Sequence, residues 1–302
     1  MSLTLVILAA GRGSRFGGDK PLAEVGPAGQ SLFEYSVYDA HKAGFKHIVF
    51  VVSADCDVSE YKNRLASYLD ELKIEFVVQN LKKSVPENIS NPAIHSRNKP
   101  WGTGHAVLVC RQSIKNPFVV INADDYYGRS NFTHIADYLL QNRSDPKACT
   151  LPGYRLENTL SHSGGVNRGI CSVDSDSYLS SIHEIKNIYL DKHLSLHADE
   201  SNIHINLNSI VSMTFWGFHP SFFNLLESTF QTFLNETNDL ANDEFVITEP
   251  VNQATRSGKI RARVIPTSEI WKGVTYAEDT DEVRKFIAEL TEAGRYPELR
   301  AN

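Results

Sequence analysis

The feature that most limits how this chain can fold is a repeated alternation of apolar runs with amphipathic stretches. Leu3 to Ala10 is a near-continuous apolar run, the pattern of a strand covered on both faces. A helix follows from Ser31, where Ser31 and Glu34 form a capping box, and Leu32, Tyr35, Val37 and Ala40 continue its apolar positions until Gly44 supplies a C-cap. HIVFVVS, from His47 to Ser53, is the next strand. The unit then repeats as a helix from about Val58 to Leu69, a strand IEFVVQ from Ile74, a helix after Thr103 and a strand from Pro117 to Asp125. Such alternation predicts a Rossmann-like three-layer α/β/α arrangement around a mostly parallel, mixed central sheet.

Beyond about Ala148 the pattern changes. Shorter strands, ACTLPGY, RGICSVD and YLSSIHEI, precede a polar loop from Asn187 to Asn208 and the run IVSMTFWGF. A helix from Ser221 to about Glu236, a strand KIRARVIP from Lys259 and a last helix from about Asp281 to Ala293, stopped by Gly294 and Pro297, complete a smaller α+β half. Neither a repeat nor a flexible linker separates the halves, so residues 1–302 read as one domain, divided at about residue 145. The long Ser-, Pro- and Asn-rich stretch from Asn80 to Asn98 has the length of a binding loop or lid.

Composition narrows the function. A net charge of -6 gives no basic field for wholesale nucleic-acid binding, so any phosphate chemistry must use a local cluster. Cys56, Cys110, Cys149 and Cys171 are dispersed, without a CxxC pair, which argues against a structural zinc site or a secreted disulfide framework and favours the cytoplasm. The first apolar run is too short to span a bilayer, and no basic segment precedes it.

That local cluster follows the first strand. LAAGRGSRFGGDKPL, Leu8 to Leu22, joins four glycines to Arg12, Arg15 and Lys20. Glycines let backbone N–H groups crowd round an anion and the cations neutralise it, so the loop suits a triphosphate. It is not a Walker A loop, because no Gly-Lys-Ser/Thr follows, nor a dinucleotide fingerprint, because Phe16 takes the place of the third glycine. Downstream, Asp124 and Asp125 end the strand VVINADDYYG, at the sheet edge where α/β enzymes bind ligands. A carboxylate there suits Mg²⁺, which takes one or two carboxylates plus substrate phosphate oxygens.

These residues resemble the nucleotidyltransferases that make nucleotide sugars, whose signature loop is written loosely L-A-A-G-x-G-[ST]-R-[FM]-x(4)-K-P-L. The resemblance implies that Leu8, Ala10, Gly11, Arg12 and Gly13 wrap the NTP phosphates, that Arg15 stabilises the leaving pyrophosphate, and that Lys20 contacts the phosphate under attack. It makes Asp124 the magnesium ligand, with Asp125 a neighbour. KPWGTGHA, with Gly102 and Thr103, resembles the segment beside the nucleobase, where small residues let backbone approach a flat ring; Gly104 stands where relatives usually carry Ala. Gln79 matches a position that often contacts the base. In the second half, Glu184 and Lys186 match the family's E-x-K-P segment, with Asn187 in place of Pro, and imply an acceptor site completed by Gly165 and Trp216. A second magnesium ligand is expected in a W-x-D-x-G-T segment, but WKGVTYAED puts Gly273 at its place. Asp279 substitutes if the loop folds back; otherwise water fills the position.

The implied reaction joins a nucleoside monophosphate from an NTP to a small phosphorylated acceptor, a sugar 1-phosphate by preference. An acceptor phosphate is already ionised at neutral pH, so no general base, and none of the eleven histidines, is needed. Phosphocholine, an inositol phosphate or a molybdopterin-type acceptor, and a regulatory nucleotide-binding protein without turnover, are the alternatives.

Overall fold

In the computed structural model, which describes residues 2–11, 20–86, 94, 97–161, 163–199, 203–274, 279–297 and 299, the apolar runs of the first half become parallel strands. These are β1 (Thr4–Leu8), β2 (His47–Val52), β3 (Lys73–Val78) and β4 (Phe118–Asn122), in the spatial order β3-β2-β1-β4. Helices α1 (Leu32–Lys42), α2 (Val58–Arg64) and α3 (Thr103–Leu108) lie between them in sequence. The expected capping box opens α1, with Ser31 N–H donating to Glu34 Oε2 at 2.8 Å.

Alternation along each strand divides the core in two. Val6, Val49 and Val120 join a cluster with Trp101, Phe222 and Phe230, whereas Leu5, Ile7, Ile48, Phe50, Val119 and Ile121 join Phe33, Val37, Phe132 and Ile135. Because side chains alternate with period two, a strand reads as continuously apolar only when both faces are covered. These strands meet that condition.

The strand expected from Pro117 to Asp125 breaks: β4 stops at Asn122 and a two-residue β5 (Asp125–Tyr126) comes after a turn. After α4 (Arg129–Gln141) come β6 (Ala148–Arg155), β7 (Val166–Val173), β8 (Leu179–Leu190), β9 (Leu196–His197), β10 (Ile210–Ser212) and β11 (Trp216–Phe218). The run IVSMTFWGF thus divides into β10 and β11, with Thr214 between them at φ 49. The division lets the chain change partners: β10 lies between β6 and β7, while β11 inserts antiparallel between β4 and β6. A single mixed sheet therefore runs through both halves.

Helices α5 (Phe222–Glu236) and α6 (Thr248–Arg256) precede β12 (Arg261–Pro266), which pairs parallel with β6. A short β13 (Lys272–Gly273), unforeseen in the sequence, pairs with β5 and places Gly273 opposite Asp125. The last helix, α7 (Asp279–Glu292), starts at Asp279 and packs with Tyr296 on the first half. There the Tyr296 hydroxyl donates to Asp39 Oδ2 at 2.6 Å. Burial raises the Asp39 carboxyl to about 7, against the opposing pull of that hydrogen bond and of Arg129. Among the described residues no helix is long and apolar enough to cross a membrane.

Candidate active site

At the carboxyl ends of β1 and β4 lie two adjoining cavities that share Thr103, Asn122 and Asp124. One, about 530 Å³, is lined by Leu8, Ala10, Gly11, Gln79, Gly102 and Thr103. The other, about 590 Å³, is lined by Lys20, Asp124, Asp125, Arg168, Glu184 and Trp271, among others. A larger cavity of about 860 Å³ lies between α5 and α6, but it gathers no residue from the glycine loop or the β4 edge. Volume alone does not mark the site; shared chemistry does.

Lys20 and Asp124, both half-buried, form an ion pair that joins the end of the glycine loop to the end of β4. Arg12, Gly13 and Arg15 lie outside the described residues. Asp125, next to Asp124, is 7% exposed, and its Oδ2 accepts from Asn122 Nδ2 at 2.9 Å and from the Tyr127 hydroxyl at 3.0 Å. The backbone N–H of Asn122 in turn donates to that hydroxyl oxygen at 2.9 Å, so the β4–β5 turn is braced from both sides. Burial, followed by the neighbouring Asp124 charge, raises the Asp125 pKa.

The first cavity contains a hydrogen-bond chain that fixes one amide. His105 Nε2 lies 2.8 Å from the Lys83 carbonyl, and a carbonyl only accepts, so this nitrogen carries the proton. Burial lowers the His105 pKa to about 4, which leaves the ring neutral and its Nδ1 an acceptor. Gln79 Nε2 then donates to both His105 Nδ1, at 3.3 Å, and the Gly102 carbonyl, at 3.1 Å. The Gln79 carbonyl oxygen is left for the cavity. The role of His105 in orienting Gln79 depends on a contact with the Lys83 carbonyl that the sequence does not display.

The glycines of GTG also answer to a neighbour within the fold. A Cβ on Gly102 would stand 2.7 Å from the Phe245 carbonyl oxygen, and one on Gly104 would stand 2.7 Å from the Phe245 ring. Gly102 also has φ +106, in the region that favours glycine. Both positions are small because Phe245 packs against the start of α3, although Gly102 also lines the cavity.

The acceptor candidates divide. Glu184 lines the second cavity, whereas Lys186 is exposed and outside its wall. Gly165 also lies off that wall, packed so closely on Asn187 that a Cβ would meet Asn187 Oδ1 at 2.1 Å. Trp216 is fully buried in the core, because β11 is an interior strand whose side chains enter the helix layers. Asp279 is 5% exposed at the start of α7, where the Ser161 hydroxyl donates to it at 3.1 Å; it does not line the cavity of Asp124. Among the described residues no group of three or more His, Cys, Asp or Glu is placed to hold a metal ion.

Arg168 went unnoticed in the sequence. It lies on β7 with its guanidinium 4.8 Å from the Trp271 ring centre, and its Nε donates to Thr159 Oγ1 at 3.2 Å. Burial lowers its pKa to about 10, so it remains cationic at neutral pH. The signal was available: Arg168 shares the inward phase of β7 with Val166 and Ile170.

Residues 5–86 match the family model described as the MobA-like NTP transferase domain. No curated protein sequence matches the chain. Among solved structures, it is similar to a UDP-glucose pyrophosphorylase complexed with UDP-glucose, at 18% identity and TM-score 0.56, over 98% of this chain and 100% of that one. It is also similar to HddC from Yersinia pseudotuberculosis, at 16% identity and TM-score 0.54, over 94% of this chain and 99% of that one. A third similar structure is the inositol-1-phosphate CTP transferase from T. maritima, at 14% identity and TM-score 0.60, over 95% of this chain and 96% of that one.

Proposed function

We propose that this chain, whose residues 5–86 match the model of the MobA-like NTP transferase domain, transfers NMP from an NTP to a sugar 1-phosphate. A phosphate oxygen of the acceptor attacks the α-phosphorus. The bond from that phosphorus to the bridging oxygen of the β-phosphate breaks, and pyrophosphate leaves with the bonding electrons. The observation that carries this reading is that two cavities meet at Asp124, one beside the glycine loop and one reaching Glu184, with Lys20 paired to Asp124 where they join. Two substrates held in adjoining cavities turn a bimolecular reaction into a positional one.

Lys20 is proposed to contact the phosphate under attack, and Arg15 to neutralise the departing pyrophosphate. Leu8, Ala10, Gly11, Arg12 and Gly13 would hold the triphosphate, with Gln79, Gly102 and Thr103 beside the base. Glu184 is the proposed acceptor contact. Mg²⁺ fits the donors present, since a carboxylate at a cavity lip leaves room for phosphate oxygens, and we assign Asp124 to hold it. When bound, it would neutralise phosphate charge. The free, dispersed cysteines agree with a cytoplasmic location.

Inositol 1-phosphate is the second acceptor reading, favoured by the T. maritima structure. Incubation with each NTP, Mg²⁺ and either sugar 1-phosphates or inositol 1-phosphate, with pyrophosphate measured, separates the two. NTP binding without pyrophosphate from any acceptor would indicate the regulatory protein instead.

A further inference from the structure

One position beside the site departs from the pattern that the resemblance implies. That resemblance puts Gly273 in the place of a second metal-binding aspartate, and neither Gly273 nor Asp279 lines the cavity of Asp124. The structure offers a reason for that glycine. Gly273 on β13 pairs with Asp125 on β5, and a Cβ added to Gly273 would stand 2.6 Å from Asp125 Oδ1 and 2.6 Å from the Trp271 ring, well inside contact distance of both. The space beside β13 that a longer residue would enter is already taken by a carboxylate from the opposite strand and by the Trp271 ring.

We infer that Asp125 is the second carboxylate of the metal site, supplied from β5 instead of β13, with Gly273 kept small to admit it. This rests on the reading of Asp124 as the first ligand.

Three observations support the inference. Asp125 is buried yet lines the same cavity as Lys20 and Asp124. Its Oδ2 is held by Asn122 and Tyr127, which fixes the carboxylate plane, while Oδ1 takes no hydrogen bond from the described residues. The guanidinium of Arg168 balances the Asp125 charge, and its own hydrogen bonds among the described residues go to Thr159 and the Asn167 carbonyl. Finally, the backbone of both residues is fixed by β13, because Val274 N–H donates to the Asp124 carbonyl at 3.3 Å beside the Gly273–Asp125 pair. Two carboxylates and substrate phosphate oxygens make a donor set of the kind Mg²⁺ takes.

The test is Mn²⁺ binding to the full chain, read as free Mn²⁺ by electron paramagnetic resonance, with thermal melts of each variant. Asp125→Asn keeps a carbonyl oxygen for Asn122 and Tyr127 and removes the charge. Its Kd for Mn²⁺ should rise at least fivefold with an unchanged melting temperature. Gly273→Ala leaves both carboxylates but displaces that of Asp125, and should also weaken Mn²⁺ binding severalfold; it decides the matter if Asp125→Asn does not fold. Wild-type affinity in both variants, with affinity lost in Asp124→Asn, would overturn the role of Asp125 and leave that of Asp124 standing. Wild-type affinity in Asp124→Asn as well, or no Mn²⁺ binding by the unaltered chain, would overturn both.

Discussion

The two sides of the site are built differently. On the proposed nucleotide side, the cavity wall includes residues just beyond strand ends or at a helix start: Ala10 and Gly11 after β1, Gln79 after β3, and Gly102 and Thr103 at the start of α3. On the proposed acceptor side, the wall includes side chains on strands, Arg168 on β7 and Ile182 and Glu184 on β8, which face Thr248, Glu249 and Asn252 of α6. A loop of backbone N–H groups suits any triphosphate, whereas side chains along a strand can be exchanged one at a time without moving the backbone. The first side is therefore suited to the shared part of the chemistry and the second to its choice of acceptor.

Four experiments put that contrast at risk. Asp124 lines both cavities, so Asp124→Ala should lower Mg²⁺-dependent turnover by about a thousandfold, or about 4 kcal/mol of barrier, while circular dichroism stays unchanged. Activity near that of the unaltered chain would remove the metal assignment. The next effect concerns how the C-terminal segment is tied to the nucleotide side through Asp39 and Tyr296. The folded pKa of Asp39, about 7, lies above its unfolded value, so its stabilisation is complete below about pH 4 and is lost as pH rises through 7. Asp39→Asn should accordingly add up to roughly 4 kcal/mol to unfolding free energy at pH 8 and little at pH 4. Denaturant melts across that range would show a flattened profile.

On the nucleotide side, His105→Phe should raise the KM for NTP about tenfold, about 1.4 kcal/mol, with kcat nearly unchanged, because Gln79 loses the acceptor that orients its amide. A fall in kcat at constant KM would contradict this. The smallest effects are expected on the acceptor side. Glu184→Gln should change the acceptor KM severalfold and leave the NTP KM alone, whereas Lys186→Gln, off the cavity wall, should change neither. If Lys186→Gln has the larger effect, the acceptor lies farther along β8 than the cavity does.

Legibility in the sequence divided along the same line. Leu3 to Ala10 and His47 to Ser53 were readable because period and length alone define a strand covered on both faces. Ser31 and Glu34 were readable because a capping box is local. Lys20 and Asp124 were found by motif, and the structure brings them together. Trp216 was misplaced because an aromatic residue in a short apolar run does not reveal whether its strand is interior or lines a cavity. The pairing of Gly273 with Asp125 joins residues far apart in the chain, and no local pattern announces it. Asp279 was nominated from nearness in sequence, but it belongs to the start of a helix that packs elsewhere.

The insertion of β11 has a consequence for how such a protein can diversify. Because a strand from the second half sits between β4 and β6, the two halves share backbone hydrogen bonds and cannot be exchanged as modules. Replacing the second half with one from a relative would require an incoming strand with the register Trp216 to Val120, or β4 would be left as an open edge prone to self-association. Change at the proposed acceptor side is thus more accessible through point substitutions on β7 and β8 than through recombination.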